Sequence, residues 1–161
     1  MLYILQIFTN TYFYHSFKKT VMHRNLKISS KKESLKAIRT FVSEALEELS
    51  ISDVESNMLI LAVDEICANR IIHSHSLDNN SFLEIVIRIE ANQEIVFEII
   101  DSGIPYDPTT HQEANLIQLI QSKRKGGIGL TLVKKIMDTI EVSTINNLSI
   151  FRMQKKLPLA S

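Results

Sequence analysis

Glu65, Asn69 and His73 recur at intervals of four. In a helix of roughly 3.6 residues per turn, four residues advance about 400°, so each drifts only about 40° from the last. A carboxylate, an amide and an imidazole would then share one stripe of a mostly apolar helix. Polar groups facing a buried region cost roughly 1–3 kcal/mol each when they find no partner. Any one of them alone is ordinarily satisfied by backbone or a neighbour; three on one stripe point to a polar cavity. Asp101 is a second signal. It continues the register of Ile95, Phe97 and Ile99, so a carboxylate ends a row that otherwise faces the core. Gly103, two residues on, would let a ligand approach the backbone closely, although Asp-Ser-Gly is also a common strand-end turn. The third signal is Gly126-Gly127-Ile128-Gly129-Leu130 running into a helix. Glycines there free backbone N–H groups to face an anion, and the helix dipole favours negative charge. Lys123, Arg124 and Lys125 stand beside them, either as a phosphate clamp or as a solvated surface. The Lys-Ser/Thr ending of a Walker A loop and the strand before a Rossmann fingerprint are both missing.

These residues need elements to hold them. Residues 26–30 alternate weakly and predict a short strand. Ser30 and Glu33 have capping-box spacing, and Leu35, Ile38, Phe41, Val42, Ala45, Leu46 and Leu49 predict a helix to about residue 50. Ser52 and Glu55 repeat the box and open a second helix, the one bearing Glu65. It is apolar nearly all round, which predicts cover on most sides. Residues 82–89 and 94–100 alternate around Ala91-Asn92-Gln93 and predict an antiparallel hairpin. Gly103, Pro105 and Pro108 punctuate a loop, and residues 111–122 are weakly helical. A last helix is expected from about 128 to 139. Residues 140–145 and 149–156 read as two closing strands joined at Asn146-Asn147. This order predicts an α+β two-layer sandwich, with helices on one face of a mixed, mostly antiparallel sheet.

Taken together, the signals resemble a known family. Glu65-x-x-x-Asn69-x-x-x-His73 resembles the N box of the GHKL (histidine-kinase-like) ATPase superfamily. Asp101-x-Gly103-x-Pro105-Tyr106-Asp107-Pro108 is similar to its G1 box. Gly127-x-Gly129-Leu130, followed by Val133-Lys134-Lys135-Ile136-Met137-Asp138, is similar to its G2 box. The Pro-Tyr-Asp-Pro ending, the short lid and the lack of a dimerisation domain most resemble the anti-sigma-factor serine kinases.

The resemblance implies a Bergerat-type ATP-binding fold with ATP and Mg²⁺ as cofactors. Asn69 would ligate Mg²⁺, which prefers oxygen ligands and keeps waters. Asp101 would accept a hydrogen bond from the adenine amino group, with Gly103 leaving room for the base. Gly126, Gly127, Gly129 and Leu130 would line the phosphates, and Thr144 would sit under the adenine. Glu65 would be the general base on the attacking serine hydroxyl, or on water in an ATPase. The implied partners are a sigma factor and an anti-anti-sigma protein of the STAS type, and members of the family often form homodimers. Two other functions fit the same boxes. One is a nucleotide-gated protein-binding regulator without kinase activity; the other is a stand-alone histidine-kinase-type catalytic module.

Two places depart from the pattern, and the role of a third residue, His73, is open. Arg70 stands where a small residue is usual, in the apolar side of the helix, so either it snorkels to an edge or the helix is rotated. Leu148-Ser149 replaces the usual Gly-Thr, which puts Ser149 in doubt as a nucleotide contact. His73 either orients Glu65 or packs as a structural residue, and packing is the simpler account.

Composition narrows the classes. The chain has 161 residues, enough for one domain. Eighteen basic and eighteen acidic residues cancel, leaving no whole-chain footprint for nucleic acid or an anionic membrane. A single cysteine, Cys67, excludes an intramolecular disulfide and a Cys-rich zinc site. No window has the roughly 18 apolar residues of a membrane span. Residues 1–13 are greasy but lack a basic n-region and a cleavage site, so no secretory signal is read and a cytoplasmic location is expected. Residues 1–23 are expected to be an extension, non-native or disordered, with Met22 a candidate start; residues 24–157 form the expected ATP-binding domain.

Overall fold

The computed structural model describes residues 20–73, 81–102 and 127–158. Five strands form one sheet: β1 (Thr20–Ser29), β2 (Phe82–Glu90), β3 (Glu94–Asp101), β4 (Thr139–Ile145) and β5 (Leu148–Lys156). Their order is β1-β2-β3-β5-β4, and all four pairings are antiparallel. Three described helices pack on one face: α1 (Ser34–Glu47), α2 (Asp53–His73) and α3 (Gly127–Ile136). The expected α+β two-layer sandwich is therefore the fold.

The core lies between these layers. Leu83, Ile85, Ile87 and Ile89 of β2 and Ile95, Phe97 and Ile99 of β3 point toward the helices. Ile38, Val42, Ala45 and Leu46 of α1, Leu59, Ala62, Val63, Ile66 and Cys67 of α2, and Val133 and Ile136 of α3 meet them. Period-two alternation in the strands and the three-four spacing in the helices produce this arrangement directly. The sheet's other face mixes buried Val86, Val96 and Ile150 with paired charges. Glu98 takes both Arg88 guanidinium nitrogens at 2.8 Å and the Arg152 Nε at 3.0 Å, and Lys27 lies 3.8 Å from the Phe82 ring centre.

Several boundaries differ from the sequence reading. β1 starts at Thr20, ahead of both the expected strand and the expected domain edge, and Met22 lies inside it. Weak hydropathy hid this stretch; its pairing with β2, shifted in register between Thr20 and Met22, supplies the order. α1 starts later than the box at Ser30 and Glu33 implies. Glu33 precedes α1 with no side-chain cap, and the Ser34 hydroxyl instead donates to the Ser29 carbonyl at 2.7 Å. The second box is half formed, with the Glu55 N–H donating to Ser52 Oγ at 3.2 Å. α2 is not covered on most sides: Val54, Met58, Leu61 and Ile72 are exposed, because one face meets the sheet and α1 and α3 cover only part of the rest. α3 ends at Ile136, not 139. There the Asp138 N–H donates to the Gln154 carbonyl and the Asp138 carboxylate accepts the Lys156 N–H at 2.8 Å, which turns the chain into β4.

Candidate functional site

The helix-side face of the sheet carries a row of register partners across all five strands: Ile28, Leu83, Asp101, Ser149 and Thr144. The row is apolar at β1 and β2 and polar from β3 onward. Asp101 is only 4% exposed and ends β3 on the core-facing side, as its register predicts. Ser149 is buried beside it, and its Oγ makes no hydrogen bond. A buried hydroxyl without a partner is costly and marks a place where a ligand or water is wanted. Thr144 is exposed at the β4 end of the row.

α2 crosses above this region. Glu65 and Asn69, one turn apart, are both half-buried. Between them Cys67 turns the other way into the core. Burial, with Asp64 adding to it and Arg70 opposing, pushes its thiol far above the usual range, so it is an inert packing residue. The α3 start reaches Glu65 directly. A Cβ placed on Gly129 would overlap the Glu65 carboxylate, lying 2.9 Å from its Cδ. Gly129 has no positive φ, so the glycine is needed for space and not for backbone shape. The first turn of α3 contains no acidic residue of its own, and its N–H groups, which have no partner within the helix, and positive dipole end stand next to the Glu65 carboxylate. Leu130 packs against the core edge behind this turn.

Arg70 resolves the question raised by its sequence position. It does not run out to an edge. Its Nε lies 3.3 Å from Asp101 Oδ2 in an ion pair, and its guanidinium carbon is 5.8 Å from the Phe151 ring centre. The pairing places a cation on the carboxylate of the row, a contact that sequence spacing did not suggest. Ser149, discounted on sequence, lies directly across from Asp101. Counting back from Asn146-Asn147 would have given its face on β5, but not its neighbour on β3.

Glu65, Asn69, Asp101, Gly129 and Leu130 thus lie on adjoining elements, with Thr144 further along the row. Gly127 is the first residue of α3. Gly103, Gly126, the cluster 123–125 and the weakly helical stretch 111–122 fall outside the described residues, as does the side chain of His73. The chemistry present is a carboxylate beside a helix N-terminus, a neighbouring amide, and a buried carboxylate with an unsatisfied hydroxyl next to it. No trio of His, Cys, Asp or Glu among the described residues is placed to hold a metal by itself. No helix among them is long and apolar enough to cross a membrane.

Residues 28–155 match the family model of the histidine kinase-like ATPase domain. The chain belongs to that family. The matched residues run from the end of β1 into β5 and include all three described helices. The chain is 27% identical over 132 residues to the serine-protein kinase RsbW of Bacillus licheniformis, covering 78% of this chain and 80% of that one. It is 25% identical over 119 residues to the anti-sigma F factor of Clostridium acetobutylicum, covering 74% and 82%. Among solved structures, the RsbU and RsbW domains of a Mycobacterium tuberculosis protein superpose with a TM-score of 0.59 at 12% identity, over 83% of this chain and 32% of that chain. The catalytic domain of the histidine kinase ThkA superposes with a TM-score of 0.51 at 13% identity, over 83% and 96%. Both structures share the fold.

Proposed function

We propose that this chain is a cytoplasmic ATP-dependent serine/threonine protein kinase of the anti-sigma type, binding a sigma factor and phosphorylating a STAS-type anti-anti-sigma protein. The observation that carries this reading is the contact of Glu65 with Gly129. It sets a proton acceptor at a helix start suited to phosphate, one turn from Asn69. Relatives named as a serine-protein kinase and as an anti-sigma factor support the same choice of partners.

The residues fit a nucleotide. Asp101 would accept the adenine amino hydrogen, and the Ser149 hydroxyl, which lacks a partner, would complete the base subsite with Thr144 at its margin. The N–H groups at the start of α3, from Gly127 through Gly129 to Leu130, would hold phosphate oxygens. Mg²⁺, when bound, would neutralise phosphate charge, held by the Asn69 amide oxygen together with phosphates and waters. Glu65 would take the proton of the acceptor serine as its oxygen attacks the γ-phosphorus and ADP leaves. Positioning and charge neutralisation dominate such transfers, so few side chains suffice.

The test is calorimetric titration of ATP with Mg²⁺, followed by transfer to a STAS-type acceptor. Wild type should bind, and Asp101→Asn should not. Glu65→Ala should keep nucleotide affinity while lowering transfer by about 10²–10⁴-fold, the range for loss of a general base. The product should be acid-stable phosphoserine or phosphothreonine. Acid-labile phosphohistidine would select the histidine-kinase-type module instead. Binding without any transfer would select the nucleotide-gated regulator.

A further inference from the structure

We propose that Arg70 occupies the base subsite when no nucleotide is bound, acting as an internal competitor for Asp101. This rests on the reading of Asp101 as the base-recognising carboxylate. A purine entering that subsite must be flat, must lie against the helix-side face of the sheet, and must present an in-plane N–H donor to the carboxylate. The Arg70 guanidinium is flat, lies against that face and stands at ion-pair distance from the carboxylate. It is planar with in-plane N–H donors. Its Nε is 3.3 Å from Asp101 Oδ2. Its carbon lies 5.8 Å from the centre of Phe151, within cation–π range. Phe151 follows Ser149 by two residues on β5, so ring, hydroxyl and carboxylate share one face.

The side chain also has a way out. It is 26% exposed, against 6% for the Asp101 side chain, so the guanidinium can withdraw toward solvent while the carboxylate stays. Nucleotide binding then becomes an exchange of one planar group for another. The apparent dissociation constant is the intrinsic one divided by the fraction of molecules in which Arg70 has withdrawn, so a contact closed nine-tenths of the time weakens binding about tenfold. A supporting role for Arg70, holding Asp101 in a productive orientation, makes the opposite statement: its removal would weaken binding.

The experiment is calorimetry of ATP with Mg²⁺ on the full chain, comparing wild type, Arg70→Ala, Arg70→Lys and Asp101→Asn. Arg70→Ala should bind ATP about tenfold more tightly than wild type. Arg70→Lys keeps the charge beside the buried Asp101 but lacks the planar fork. It should bind severalfold more tightly, and it carries the test if the alanine variant does not fold. Thermal unfolding of both variants should show a larger nucleotide-induced rise in Tm than wild type. Equal or weaker binding by the Arg70 variants, with wild-type binding abolished by Asp101→Asn, overturns the competitor role and leaves the nucleotide site standing. No binding by wild type or either Arg70 variant, or binding unaffected by Asp101→Asn, overturns both.

Discussion

Gly129 and Glu65 constrain one another. Because the carboxylate fills the space a Cβ at 129 would take, even alanine there forces Glu65 to another rotamer or pushes α3 off α2. Overpacking of this kind costs about 1–3 kcal/mol. Gly129→Ala should lower the urea midpoint by the corresponding amount and, on the proposed function, should impair phosphoryl transfer more than Glu65→Asp does, since it moves the helix start as well as the carboxylate. An alanine variant with wild-type stability and transfer would mean that the carboxylate moves aside freely and that the contact has no functional weight. At the same scale, Asn69 and Arg70 are sequence neighbours, yet Arg70 is ion-paired with Asp101 while Asn69 follows Glu65 along the helix.

The elements show which local signals were sufficient. In the β4–β5 hairpin, Asn146 and Asn147 both take positive φ, 51° and 64°, matching a two-residue primed turn. Asparagine tolerates this backbone and most residues do not. Asn147→Ala should therefore cost about 1–2 kcal/mol in urea unfolding while Asn147→Gly is nearly neutral; an equal loss from both would assign the effect to the side chain. Both hairpins and α1 were legible because period two, period 3.6 and the turn residues agree locally. The face of Asp101 was legible for the same reason. The start of β1 was not, since Thr20, His23, Arg24 and Asn25 carry no apolar alternation and owe their order to β2. Ser30 and Glu33 match a capping box on paper, but Ser34 is drawn to the Ser29 carbonyl. Arg70–Asp101 and Asp101–Ser149 are long-range pairs, and one sequence without tertiary context gives neither.

Across the whole molecule, the sheet face away from the three described helices carries a charge cluster centred on Glu98. Burial raises the Glu98 carboxyl pKa, but hydrogen bonds and charge from Arg88 and Arg152 outweigh it, leaving the group below its ordinary value. The unfolded chain, with a carboxyl near about 4.3, then binds more protons than the native one between the two values. Stability from Glu98 is thus present above the unfolded value and is lost as pH falls through the lower, native one. Urea unfolding from pH 7 to pH 3 should show this loss, and Glu98→Gln should flatten that part of the curve; an unchanged profile in the variant would place the acid sensitivity elsewhere. Asp138, lowered chiefly by the Lys156 N–H, is exposed and screened, and should add little.

The strand order also has a bearing on synthesis. β3 finds its second neighbour only in β5, and Asp101 meets Ser149 only through that pairing. On a ribosome, β1, β2, α1 and α2 emerge first and can collapse on one another, but β3 stays a bare edge until the final hairpin has left the exit tunnel. The nascent chain is therefore unable to bring Asp101 and Ser149 together during elongation, and an incompletely translated copy presents an unpaired strand ending in a carboxylate.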